Sequence, residues 1–201
     1  MKNQNNNTHN PYTFFAIVNR LKLIHRWSLM HNRRPESVAE HSHQTALLAH
    51  TLAIIDNEIF GQKTDANLCA TLALYHDATE TLTGDIPTPV KYRNAEMTAA
   101  YKKVEKAASV QLLSLLPEKL QKTYSNIITP KEDTREYKLV KYADRISALI
   151  KCVEELSGGN NDFLQAQKVT QTAIEQIEDK SVDYFLTTFM DAYSLNVDQL
   201  M

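Results

Sequence analysis

Glycine and proline are scarce in this chain, at 4 and 6 of 201 residues. An average composition would supply roughly 12% of the two together, more than twice what is present. A dinucleotide-binding G-x-G-x-x-G and a phosphate loop G-x-x-x-x-G-K both need closely spaced glycines, and neither pattern occurs. A β-sandwich or barrel needs turn chemistry about every ten residues, which this chain cannot supply. The shortage predicts an all-α fold. With 43% hydrophobic and 23% charged residues, the chain can bury the core of a single globular domain.

The net charge of −2 carries no basic excess that would recommend a nucleic-acid partner. Cys69 and Cys152 lie far apart in apolar helical patterns, as buried free thiols of a reducing cytoplasm would. The first eleven residues, rich in asparagine, are expected to be a disordered tail and do not resemble a signal peptide. No stretch approaches the ~18 apolar residues of a membrane span. Residues 12–201 are expected to form one domain.

Along that domain, Phe14, Ile17, Leu21 and Ile24 recur at helical spacing and predict a helix over 12–30. Ser37-Val38-Ala39-Glu40 has the form of a capping box opening a helix to about Asp56, with His41, Thr45, Leu48, Leu52 and Ile55 on one face. A third helix is expected over 65–81, and Thr83–Pro89 after it is the only dense Gly/Pro punctuation. Further helices are expected over 94–116 and 117–127. Thr129-Pro130 reads as the start signal of the next, whose core face carries Leu139, Ala143, Ile146 and Ile150. Gly158-Gly159 ends it, and amphipathic segments over 162–178 and 182–193 complete the chain.

Four residues stand out chemically: His41, the adjacent pair His76-Asp77, and Asp144. A lone core histidine is usually structural, but an unpaired carboxylate near a helix core face is costly. One divalent cation would satisfy two imidazoles and two carboxylates together. Spacing alone leaves this open against a purely structural reading. The order H…HD…D resembles the signature of the HD-domain metal-dependent phosphohydrolases. LKLIHRW at 21–27, SVAEHS at 37–42, YHDATE at 75–80, TGDIPTPVKY at 83–92, YAD at 142–144 and GGNN at 158–161 resemble, in that order, the bacterial 5′-deoxynucleotidases of the YfbR type.

The resemblance implies a single HD-type helical bundle that hydrolyses deoxyribonucleoside 5′-monophosphates to deoxyribonucleoside and phosphate, with little base selectivity. It implies His41, His76, Asp77 and Asp144 as ligands of one divalent transition metal ion (Co²⁺, Mn²⁺, Fe²⁺ or Ni²⁺), which activates a water. Glu80 is implied as a catalytic residue acting on that water or on the departing oxygen, and Arg26 as the group orienting the phosphate. The resemblance implies that Asp77 and Asp144 also face the substrate. Trp27, Asp85, Ile86, Pro87, Thr88 and Lys91 are implied in substrate binding. A homodimer is expected of such a protein. His43 lies ~200° around its helix from His41 and is not expected to share the ion. His25, where the family has a neutral amide, and His31 add imidazoles near the expected site. Two rival readings remain at this point: hydrolysis of a different phosphoester on the same scaffold, and a nucleotide sensor without activity, which would not need an intact ligand set and Glu80.

Overall fold

The structure, a computed structural model, describes residues 10–201; the expected N-terminal tail falls almost wholly on residues 1–9, outside them. Among the described residues there is no β-strand, only an isolated antiparallel bridge between His25 and Ser37. The helices are α1 (Phe14–Val18), α2 (Val38–Glu58), α3 (Ala66–Tyr75), α4 (Glu80–Thr83), α5 (Thr88–Lys91), α6 (Ala95–Ser114), α7 (Glu118–Ile128), α8 (Arg135–Ser157), α9 (Leu164–Glu175), α10 (Lys180–Phe189) and α11 (Val197–Leu200).

The centre of the molecule is the packing of α2, α3 and α8. α2 begins where the capping box predicts: the Ser37 hydroxyl accepts from the Glu40 N–H, and the Glu40 carboxylate accepts from the Ser37 N–H at 2.8 Å. It buries Leu48, Leu52 and Ile55 against Cys69, Leu72 and Ala73 of α3 and Leu139, Ala143, Ile146 and Ile150 of α8. Both cysteines are free and buried, and burial pushes each thiol up to about 12. α10 closes this core with Val182 and Phe185, while Phe14, Leu112 and Leu116 form a smaller cluster around Ala78.

Several expected boundaries are corrected. The helix expected over 12–30 stops at Val18, continues as a 3₁₀ turn over Asn19–Leu23, and gives way to extended chain. There Arg26 N–H donates to the Glu36 carbonyl and Val38 N–H to the Ile24 carbonyl, both at 2.9 Å, so cross-chain pairing replaces helical bonds. The helix expected over 65–81 ends at Tyr75, and a turn at 76–79 separates it from α4. The start signal at Pro130 yields to Thr134, whose hydroxyl caps α8 by accepting from the Tyr137 N–H. The Gly/Pro-punctuated segment over 83–89 runs into the helical turn α5 at Thr88. The last two amphipathic segments form α9 and α10, ending at Glu175 and Phe189 rather than at 178 and 193.

Candidate metal centre and phosphate pocket

Two helices and the turn that ends a third bring the four residues together. His41 lies in the second half of the first turn of α2, fully buried. His76 and Asp77 occupy the turn that breaks α3 from α4, and Asp144 projects from α8. His41 Nε2 is 3.0 Å from Asp144 Oδ1 and 3.7 Å from Asp77 Oδ2. His76 Nε2 is 3.1 Å from Asp77 Oδ2 and 3.9 Å from Asp144 Oδ1. One ligand atom from each of His41, His76 and Asp144 falls within 4.8 Å of the others.

The far side of each imidazole fixes its tautomer. His76 Nδ1 lies 2.7 Å from the Ala73 carbonyl, which can only accept, so Nδ1 carries a proton and Nε2 is turned toward the carboxylates of Asp77 and Asp144. The Ser147 hydroxyl donates to Gln44 Oε1 at 2.6 Å, leaving its oxygen to accept from His41 Nδ1 at 3.1 Å. Such partners orient metal-binding imidazoles generally. His76 Nε2 is buried with no hydrogen-bond partner, in a space shared with two carboxylates. This donor set fits a divalent cation, whose charge would balance the two aspartates. Burial works against ionising Asp77 and Asp144, yet the neighbouring imidazoles hold both well below the usual carboxylate range.

Glu80 opens α4, one turn past His76 and Asp77. Its Oε2 is buried without a partner. Burial, reinforced by the charges of Asp77 and Asp85, pushes its carboxyl up to about 10. At that value the carboxyl holds a proton at neutral pH.

Arg26 reaches the same region from the extended segment rather than from a helix end. Burial opposes its charge, but Glu36, Asp144, Asp77 and Asp85 raise its pKa. Its guanidinium pairs with Glu36 at 3.4 Å. Trp27, at φ 60°, is the one described non-glycine residue with positive φ. Its indole N–H donates to Glu36 Oε2 at 2.8 Å, and its ring lies 5.2 Å from Phe163. Gly84, at φ 74°, ends α4 and turns the chain into Asp85-Ile86-Pro87, all half-buried, with Thr88 exposed. Lys91 sits beside this segment but is held by Glu105 at 2.7 Å and lies over the Tyr101 ring. His43, His25 and His31 are exposed, and His43 and His25 line a separate cleft.

Sequence reasoning missed Glu36, Ser147 and Gln44. The last two carried a readable signal, each lying three residues, or one helical turn, from a ligand. Glu36 has no such periodicity, because its role depends on a loop fold.

A family model described as 5′-deoxynucleotidase YfbR-like matches residues 13–193. The chain belongs to the YfbR-like 5′-deoxynucleotidase family. Among the relatives of this YfbR-like chain, a 5′-deoxynucleotidase of Erwinia tasmaniensis is 46% identical over 188 residues, covering 93% of this chain and 95% of that one. A 5′-deoxynucleotidase of Yersinia pseudotuberculosis is 45% identical over the same coverage. The solved structure of an HD-domain phosphohydrolase from Listeria innocua superposes with a TM-score of 0.80 at 28% identity, covering 90% of this chain and 88% of that one. A cyanophage S-2L HD phosphohydrolase, solved with dA and one catalytic Zn²⁺, shares the fold at a TM-score of 0.62 and 19% identity, over 89% of this chain and 95% of that one. The expected all-α HD fold and family are thus borne out. The protein is a phosphomonoester hydrolase of the 5′-deoxynucleotidase type, with a residue cluster suited to a divalent metal ion.

Proposed function

We propose that this protein hydrolyses deoxyribonucleoside 5′-monophosphates to deoxyribonucleoside and inorganic phosphate, with little base selectivity. The observation that carries the reading is the bare, buried His76 Nε2 facing Asp77 and Asp144, with Arg26 and Glu80 at the same space. His41, His76, Asp77 and Asp144 would hold one divalent ion, for which a mixed N/O set favours Mn²⁺, Co²⁺, Fe²⁺ or Ni²⁺. When bound, such an ion lowers the pKa of a water and polarises the phosphoryl group.

The chain's own residues supply the rest. Arg26 offers a planar fork for two phosphate oxygens and so orients phosphorus toward the attacking water. Glu80, protonated in its buried position, gives its proton to the departing 5′ oxygen, which would otherwise leave as a strongly basic alkoxide. Trp27 walls the sugar, where its ring opposes a ribose 2′-OH. Asp85 accepts from the 3′-OH, Ile86-Pro87 shape the pocket with little entropy to lose, and Thr88 and Lys91 complete the mouth. Contacts confined to phosphate and sugar explain tolerance of the base.

The reading places the enzyme in the cytoplasm as a homodimer. No described helix is long and apolar enough to cross a membrane, and exposed Phe189, Leu195 and Val197 near the C-terminus offer apolar surface for a second copy. Phosphate release from paired ribo- and deoxyribonucleoside 5′-monophosphates, with Mn²⁺ or Co²⁺ added, tests the activity. Release from the deoxy series across all four bases is expected. No release from any deoxy substrate with either metal would overturn it.

A further inference from the structure

Resting on that reading of Arg26 and Trp27, we infer that Glu36 is a positioning residue that sets phosphate and sugar recognition through one carboxylate. Three contacts converge on it. Its carbonyl accepts the Arg26 N–H at 2.9 Å, its carboxylate takes the Arg26 guanidinium at 3.4 Å, and its Oε2 accepts the Trp27 indole N–H at 2.8 Å. In extended chain, consecutive side chains point to opposite faces. Arg26 and Trp27 escape this because Trp27 adopts φ 60°, a conformation costly for a bulky residue, and both side chains then meet the same carboxylate.

Glu36 is itself placed by the core. The segment before it is fastened to α8: Glu155 accepts the Arg33 and Arg34 N–H groups, and Lys151 donates to the Arg34 carbonyl. Its carboxylate is mostly buried, at 11% exposure, so the charge is weakly screened. Glu36 also lies 3.8 Å from His41 Nδ1, but that nitrogen is served by the closer Ser147. Glu36 therefore touches neither phosphorus nor a ligand atom facing the cation space, and acts through its two neighbours.

The test compares Glu36→Gln and Glu36→Ala in wild-type and Arg26→Ala backgrounds, reading kcat and KM on a deoxyribonucleoside 5′-monophosphate and its ribo counterpart. Trp27 is the only tryptophan of the chain, so intrinsic fluorescence reports its surroundings directly. Glu36→Gln keeps an acceptor for the indole but drops the charge beside Arg26. It is expected to lower kcat/KM about tenfold, a coupling of ordinary size for groups in contact, with emission and deoxy preference unchanged. Glu36→Ala is expected to add a red shift of Trp27 emission and a loss of deoxy-over-ribo preference. In the Arg26→Ala background, Glu36→Gln should cost nothing further. An equal additional loss there, or wild-type emission and selectivity in Glu36→Ala, would overturn the inference. A wild-type protein inert on every deoxy substrate would instead sink the activity itself, leaving the fluorescence shift in Glu36→Ala to decide the placement of Trp27.

Discussion

At the scale of single residues, the site depends on which protons are held and where. Glu80 is pushed up, to about 10, by burial and by the charges of Asp77 and Asp85, while Asp77 and Asp144 are held low. Carboxylates driven apart in this way divide the work between ligand and proton donor. Replacing Glu80 by Gln should leave fold and cation affinity intact and reduce turnover at least ~100-fold; near-normal turnover would remove Glu80 from the chemistry. The imidazoles make a second prediction. Ser147→Ala removes the acceptor that fixes His41 Nδ1–H, so calorimetric titration with Mn²⁺ should show affinity falling about 10- to 100-fold. Unchanged affinity would mean that the Gln44–Ser147–His41 chain does not orient the ring.

At the scale of elements, a charged clamp joins three helices away from the site. Arg135 at the start of α8 bonds Asp56 near the end of α2 and Asp179 at the cap of α10. Burial raises the Asp56 pKa, but hydrogen bonds from Arg135, Thr64 and Ser181 outweigh it and hold the carboxyl to about 2. A carboxyl depressed in the folded state contributes stability that is complete above its unfolded pKa of about 4 and lost as pH falls toward 2. Acid unfolding should therefore show this loss between about pH 4 and 2. Asp56→Asn should flatten that limb and cost about 2 kcal/mol at neutral pH, read by denaturant melts; an unaltered acid limb would contradict the assignment.

The elements also show how far sequence reading reaches. α2 and the buried face of α8 were legible because capping and 3.6-residue periodicity are local signals, and the H…HD…D order singled out the four candidate ligands. The breaks at Val18 and Tyr75 were not. At the first, residues 24–26 pair with 36–38; at the second, the His76 ring takes the Ala73 carbonyl. Both are tertiary or side-chain bonds that compete with helix continuation and leave no trace in apolar spacing. Arg26 was found as a residue but placed on the wrong kind of backbone for this reason, and Glu36 was missed with it.

At the scale of the molecule, scarce backbone punctuation acquires a location. Gly61 and Gly159 turn the chain at the ends of α2 and α8, while Gly84 turns it beside the candidate metal site, all at positive φ. α2, α8 and the turn after α3 carry the four residues proposed as ligands, and the segments at 24–36 and 84–91 carry most of the residues proposed to face the substrate. In the proposed reaction one divalent ion, held by His41, His76, Asp77 and Asp144, enables hydrolysis of a deoxynucleoside 5′-monophosphate. Titrating chelator-treated protein with Mn²⁺ or Co²⁺ while following phosphate release tests it most directly. Activity should rise from near zero to a plateau at one ion per chain and be absent in Asp77→Asn; full turnover in the chelated protein, or a plateau only at two ions per chain, would contradict it.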